Sequence, residues 1–402
     1  MSGRLARTTR AALAGLLLSI LVPAGPAHAD STSDARTRLL GPGWDAPDAV
    51  RFRWISITTW LASFGGHVVL FDSSVVDYLA QPKPGTGFVS LDDIIAARPE
   101  YIYQGHGHID HMRHAPEIAA ATAAKLVGSR DHCAVARHQA DMKGLGAGKV
   151  RCVSVRDSAG REFTGNDTYV MPVEFGTTPF GTIGKPDEGP PGLEVTVVKI
   201  KHTQMRPYPD TLVGSEGYEA DLSPYFDSPP TPQSALDVAL YFDREGASLL
   251  YLFRFGGLTI AVHDSTGSLS PLEPGQDAIR AALQSLGAKD RVDIEIGAIA
   301  ELQNYTNGLI DAQRYAEAIG AKTFLPQHHG NWNPPASSPA AGFYEPWSRR
   351  VAQIPADRRP ALCFVVEANR ATAFATTAAD WTGDTSGRLT PLGGPDCYRR
   401  SG

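Results

Sequence analysis

The chain has 402 residues, of which 42% are hydrophobic and 20% charged, with a formal net charge of −6. That is enough apolar material for a sizeable folded core and excludes a disordered polyelectrolyte. An acidic chain without a Lys/Arg-rich patch is poorly suited to gripping a phosphate backbone, so nucleic acid is not an expected partner.

Arg4, Arg7 and Arg10 precede an apolar run from Ala11 to Val22, and Ala27-His28-Ala29 fits the small-x-small pattern of a signal-peptidase site. The expectation is a signal peptide over 1–29, general secretion and a mature start at Asp30; an uncleaved anchor is the alternative. The run is short for a bilayer-spanning helix of about 20 residues, and no stable membrane insertion is expected after cleavage. Cleavage removes three arginines and no acid, taking the formal charge to about −9.

Residues 30–50 read as a polar lead-in to a single domain over 30–402, with its core at about 52–375. Strands are predicted at Phe52–Thr58 and His67–Asp72, then Pro99-Glu100-Tyr101-Ile102-Tyr103. Immediately afterwards, His106-Gly107-His108-Ile109-Asp110-His111 crowds four potential metal ligands into six residues. Histidines two apart on an extended chain point to the same side, so His106 and His108 can share a cation. Asp110 and His111 can serve a second cation as the chain turns.

Helices are predicted at Ala115–Leu126 and around His138, and a strand at Lys149–Val155. A Gly/Pro-rich segment, Phe175–Gly192, follows. The β-branched run Leu193–Lys201 reads as a strand ending at His202. Residues 203–234 are rich in Pro, Tyr and acids and form a loop insertion; a substrate lid and a surface insertion are both open readings. Strands are predicted at Val238–Asp243, Leu249–Arg254 and Leu258–His263, the last ending at Asp264. Helices follow at Gln276–Ser285 and Ile310–Ile319. A final short strand runs into His328 and His329. Aromatic residues beyond it, Trp332 and Phe343-Tyr344-Glu345-Pro346-Trp347, read either as pocket wall or as core. Residues 376–402 read as a C-terminal tail. Cys133, Cys152, Cys363 and Cys397 lie in no ligand motif. Two disulfides are expected in an oxidising compartment, with Cys133–Cys152 and Cys363–Cys397 favoured because both close short loops.

The H-x-H-x-D-H string, followed in order by His202, Asp264 in a glycine-strand-aspartate-threonine setting and His328, resembles the signature of the metallo-β-lactamase superfamily. That resemblance implies an α/β fold, a four-layer αββα sandwich of two mixed sheets flanked by helices, with metals where strand-end loops converge. It covers roughly Phe52 to Ala375. It assigns His106, His108 and His202 to a first cation, Asp110, His111 and His328 to a second, and Asp264 as a bridge. His328 is preferred to His329 by its spacing from Pro326. His263 should face away from Asp264 by strand alternation and is read as structural, with ligation a lesser alternative. Asp72 sits where such proteins often keep an acid that orients a metal-bound imidazole; an ordinary turn acid is the other reading.

The activity implied is metal-assisted hydrolysis, in which two cations about 3.5–4 Å apart activate a water. Asp110 is the candidate catalytic group, orienting the nucleophile or relaying its proton. Zinc is the expected metal, with manganese or iron as alternatives, and no Gly-x-Ser-x-Gly element offers a serine route. The loose likeness is to the branch holding ascorbate-6-phosphate lactonase and the N-acyl-phosphatidylethanolamine phospholipase D enzymes. The expected substrate class is an ester, lactone or phosphodiester of a small or lipid-like molecule. β-Lactam hydrolysis and a di-iron redox role on the same frame are the alternatives. Nothing in the sequence sets the oligomeric state.

Overall fold

The computed structural model describes residues 31–75, 85–165, 178–203, 245–288, 291–299, 309–329, 347–365, 369–382 and 389–397. The expected signal segment, nearly all of the 203–234 insertion, the strand expected at Val238–Asp243, Trp332 and Phe343–Pro346 lie outside them.

The first half of the chain supplies β1 (Val50–Ser56), β2 (Thr59–Phe64), β3 (His67–Phe71), β4 (Tyr101–Tyr103), β5 (Lys125–Gly128) and β6 (Arg151–Asp157). The second half supplies β7 (Ile183–Pro186), β8 (Glu194–Ile200), β9 (Ser248–Phe255), β10 (Leu258–His263), β11 (Ile294–Ala298), β12 (Thr323–Gln327) and β13 (Ala361–Leu362). The chain then returns to the first half with β14 (Ala373–Thr376) and β15 (Thr390–Leu392), beside β1. Each half is mixed: β1 to β3 pair antiparallel and β3 to β6 parallel, while β7 to β10 pair antiparallel and β10 to β13 parallel. Strand β6 joins them, pairing Arg151–Ser154 with β5 and Val155–Asp157 with β7.

Alternation along the strands sorts their side chains into layers. Leu249, Tyr251 and Phe253 of β9 face Phe64, Phe71 and Tyr103 of the first half in the central core, whereas Leu250 and Leu252 face outward. Helices α1 (Thr32–Leu40), α2 (Leu91–Ala97), α4 (Ala115–Thr122) and α5 (Arg130–Met142) cover the outer face of the first half through Leu39, Ile94, Ile118 and Val135. Between α2 and α4 lies one short turn of helix, α3 (Ile109–Met112). Helices α6 (Gln276–Leu286) and α7 (Ile310–Ile319) cover the second half through Ile279, Leu283 and Tyr315. The layering is the αββα sandwich that the sequence implied.

Two hairpins use paired glycines. Gly65-Gly66 joins β2 to β3, with φ of 56° and 92°, and Gly256-Gly257 joins β9 to β10, with 56° and 96°. Positive φ at both central residues suits the twist of a two-residue hairpin, and glycine adopts it without strain.

Several sequence expectations are corrected. Helix α4 stops at Thr122 because Ala123 is left-handed (φ 64°), so Leu126 belongs to β5. The lead-in holds α1, capped by Ser31 and burying Ala35, Leu39 and Leu40. The Gly/Pro-rich segment contains β7. The tail is not peripheral: β15 pairs with β14, and Trp381, Leu389 and Cys397 enter the central core. Both favoured disulfides are present, Cys133–Cys152 fastening α5 to β6 and Cys363–Cys397 fastening the tail next to β13. Trp347 is core, stacked on Phe324 at 4.7 Å.

Candidate metal centre

Every candidate ligand lies at or just beyond the C-terminal end of a strand. Asp72 follows β3, the H-x-H-x-D-H turn follows β4, His202 follows β8, Asp264 follows β10 and His328 follows β12. These ends converge because the two halves of the sandwich face each other.

His106, His108 and His202 form one group whose ligand atoms lie within 4.8 Å of one another. His106 Nε2 is 3.1 Å from His108 Nδ1, and the His202 ring stands 4.7 Å and 4.5 Å from the other two. Burial, together with neighbouring imidazoles, lowers the proton affinity of all three, bringing His106 down to about 3. Neutral imidazoles are the ligating form.

A second group is Asp110, His111 and His328. His111 Nε2 is 3.1 Å from His328 Nε2 and 3.3 Å from Asp110 Oδ2, and His328 Nε2 is 3.5 Å from the same oxygen. Burial works against charge here, yet Asp110 and Asp264 raise His111 well above the usual histidine range. Burial likewise opposes the Asp110 carboxylate, but His111 and His328 hold it ionised.

Asp264 touches one histidine of each group, its Oδ2 lying 2.7 Å from His106 Nδ1 and 3.2 Å from His111 Nδ1. These are the ring nitrogens opposite those that face the other candidate ligands. Its buried Oδ1 has no hydrogen-bond partner among the described residues. Leaving a buried carboxylate oxygen without a donor is costly, and a cation would remove that cost. A Cβ at position 105 would fall 2.1 Å from Asp264 Oδ2, so Gly105 is what lets this carboxylate come so close. The donor set of imidazoles and carboxylates suits a first-row divalent metal.

Asp72 is at the back of the second group. Its Oδ2 is 3.0 Å from His111 Nδ1, and its Oδ1 accepts from Gln104 Nε2 (3.0 Å) and from the Gly105 amide (2.9 Å). Burial and the nearby charge of Asp264 push its carboxyl up to about 7. Gln104 also donates to the His106 carbonyl at 2.6 Å and receives Tyr251 Oη–H on its own carbonyl at 2.7 Å. Gln104 and Thr58 were not picked out from the sequence; the only signal for Gln104 is its place two residues before His106.

His263 faces the outer layer, as alternation requires. Its Nε2 is 2.9 Å from Glu295 Oε1, its Nδ1 is 3.1 Å from the Ser265 carbonyl, and its ring lies 5.2 Å from that of Tyr315. His329 also points away, its Nε2 against the Pro326 carbonyl (3.1 Å) and its ring 4.8 Å from Trp54. His114 accepts the Val75 amide on Nδ1 at 3.0 Å. None of the three reaches the centre.

No protein-family model matches the chain. Over 80 residues it is 32% identical to a UPF0173 metal-dependent hydrolase of Pyrobaculum aerophilum, a match covering 20% of this chain and 32% of the relative. A counterpart in Pyrobaculum arsenaticum is 30% identical over the same length. The chain thus spans about a third of the length of the curated relatives it matches. Among solved structures, Igni18, a metallo hydrolase from Ignicoccus hospitalis, is 12% identical with a TM-score of 0.45, over 79% of this chain and 96% of that one. CmlA, a di-iron β-hydroxylase from Streptomyces venezuelae, is 13% identical with a TM-score of 0.43, over 83% and 55%.

Proposed function

We propose that this chain, which has the metallo-β-lactamase fold, is an exported hydrolase that works with two first-row cations on an ester, lactone or phosphodiester bond of a small or lipid-like substrate. The observation that carries the reading is the pair of adjacent ligand groups, each with an Asp264-contacting histidine. When bound, the cations supply Lewis acidity and bring a water's pKa toward neutrality.

The protein's own contribution is arrangement. His106, His108 and His202 would hold the first cation, and Asp110, His111 and His328 the second. Asp264, which contacts one histidine of each group, would be the carboxylate shared between them. Asp110, held ionised by His111 and His328, would be the group that orients the attacking water. Asp72 backs the His111 ring, Gln104 holds the His106 carbonyl and Gly105 leaves room for Asp264, so that little reorganisation is needed when charge develops.

Two disulfides support export, since such bonds persist in oxidising compartments. Among the described residues no helix is long and apolar enough to cross a membrane.

The test is elemental analysis of purified protein, joined to a panel of ester, lactone, β-lactam and phosphodiester substrates. Close to two metal equivalents and chelator-sensitive turnover are expected. Full activity with no metal retained after dialysis against chelator would sink the proposal.

A further inference from the structure

A two-residue turn that no sequence motif marks supports the second ligand group. Ile57 and Thr58 connect β1 to β2. Ile57 is left-handed (φ 47°), a strained conformation for a β-branched residue, and its side chain is buried. Its carbonyl accepts the backbone N–H of His328 at 3.1 Å and the Trp54 indole N–H at 3.0 Å. His328 is itself left-handed, with φ 63°, and so is Asp72, with φ 50°.

Thr58 acts through its side chain. Its Oγ1 donates to Asp72 Oδ2 at 2.6 Å and lies 2.9 Å from His111 Nδ1. A hydroxyl that gives its one proton to a carboxylate can only accept from the imidazole. Asp72 Oδ2 and Asp264 Oδ2 face the same nitrogen at 3.0 and 3.2 Å, so the hydroxyl joins two carboxylates in an arrangement that holds the proton on Nδ1 of His111. It leaves Nε2 toward Asp110 and His328, where a ligand lone pair is needed. One turn thus reaches two of the three second-group residues, one by side chain and one by backbone. Non-glycine residues held at positive φ beside a site are where strain is spent on positioning.

We propose that the Ile57–Thr58 turn is a positioning element of the second cation site, buttressing the His111 ring beside Asp72 and fixing the His328 backbone while leaving the first site independent of it. The inference rests on the two-cation reading above.

The experiment titrates metal-stripped protein with Zn²⁺ and counts bound equivalents by elemental analysis after gel filtration, for wild type, Thr58→Val and Thr58→Ser. Valine keeps the shape and drops the hydroxyl; serine keeps the hydroxyl. Thr58→Val should bind the first equivalent like wild type and the second about 10- to 100-fold more weakly, the usual effect of losing an outer partner of a ligating histidine. Thr58→Ser should restore most of that affinity. Thr58→Ala serves the same purpose if the valine variant does not fold. Two equivalents with wild-type affinities in Thr58→Val, or equal weakening of both, would overturn the turn's role and leave the two-cation reading standing. A wild type that takes up fewer than two equivalents would overturn both.

Discussion

In the first half of the sandwich, four candidate ligands sit within six residues, His106 to His111, on one strand-to-helix turn. In the second half, His202, Asp264 and His328 each stand alone at the end of a different strand. The first arrangement is local, so its geometry follows from a few backbone dihedrals and the short helix α3. The second depends on the register of three strands, because a one-residue slip sends a side chain to the opposite face. Asp264 and His263 show what is at stake: neighbours in sequence, one faces the ligands and the other a buried glutamate. A compact motif announces chemistry, whereas isolated residues acquire it only through the sheet that aligns them.

The sharpest way to break this comparison is to remove one residue from each half. His106→Ala and Asp264→Ala should each lower hydrolysis by at least about 1000-fold, since charge stabilisation worth several kcal/mol is lost. Initial rates and metal content on the same samples check this. A fully active Asp264→Ala protein would mean that the second half contributes support and no chemistry.

His263→Ala probes the register from the other face. It leaves Glu295, whose carboxyl burial has already raised, without its partner. A loss of about 3 kcal/mol in urea unfolding is expected, with rates within tenfold of wild type. Coordination of His263 to metal in a loaded crystal would show that the strand is offset by one residue.

The staples differ between halves in a related way. Cys133–Cys152 spans 19 residues and Cys363–Cys397 spans 34. Removing either pair by Cys→Ser should cost about 2–3 kcal/mol, with the longer loop losing roughly 0.5 kcal/mol more on chain-entropy grounds. Non-reducing peptide mapping should recover these two pairings, and thermal melts of the two double variants should rank them.

The smallest effect concerns His114, in the first half, which packs behind the ligand turn. Burial, with Arg113 and Lys143 adding, lowers its pKa from 6.5 to about 3. Between these values the unfolded chain binds a proton that the folded one refuses. Stability therefore falls as pH drops through that window, by at most about 1.4 kcal/mol per pH unit. His114→Asn, whose side-chain oxygen can still accept the Val75 amide, should flatten that slope in metal-free protein. Denaturant midpoints at pH 6.5 and 4.5 in both proteins decide it.

Legibility followed the same divide. The ligand turn is readable because its four residues are close together, and alternation puts Asp264 and His263 on opposite faces while the family resemblance picks Asp264. The supporting network is not readable. Thr58 and Gln104 are ordinary residue types, and only the approach of β1, β3 and β4 gives them partners. Strand β2 is buried on both faces, so Thr59–Phe64 shows no alternation to read. Helix α1 looks polar because only Ala35, Leu39 and Leu40 of its nine residues are buried. The way the tail joins the core is hard to read for a similar reason: its few apolar residues, Trp381 and Leu389 among them, are spread thinly, and a disulfide and one short strand bind them to the core.

Gly105 carries a consequence for how such a protein could diverge. The space its missing side chain leaves is filled by the Asp264 carboxylate, which is itself boxed between His106 and His111. Even alanine would have to displace that carboxylate, so no gradual route runs through this position. A descendant could abandon the centre and then vary freely here, or keep the centre and inherit this glycine unchanged.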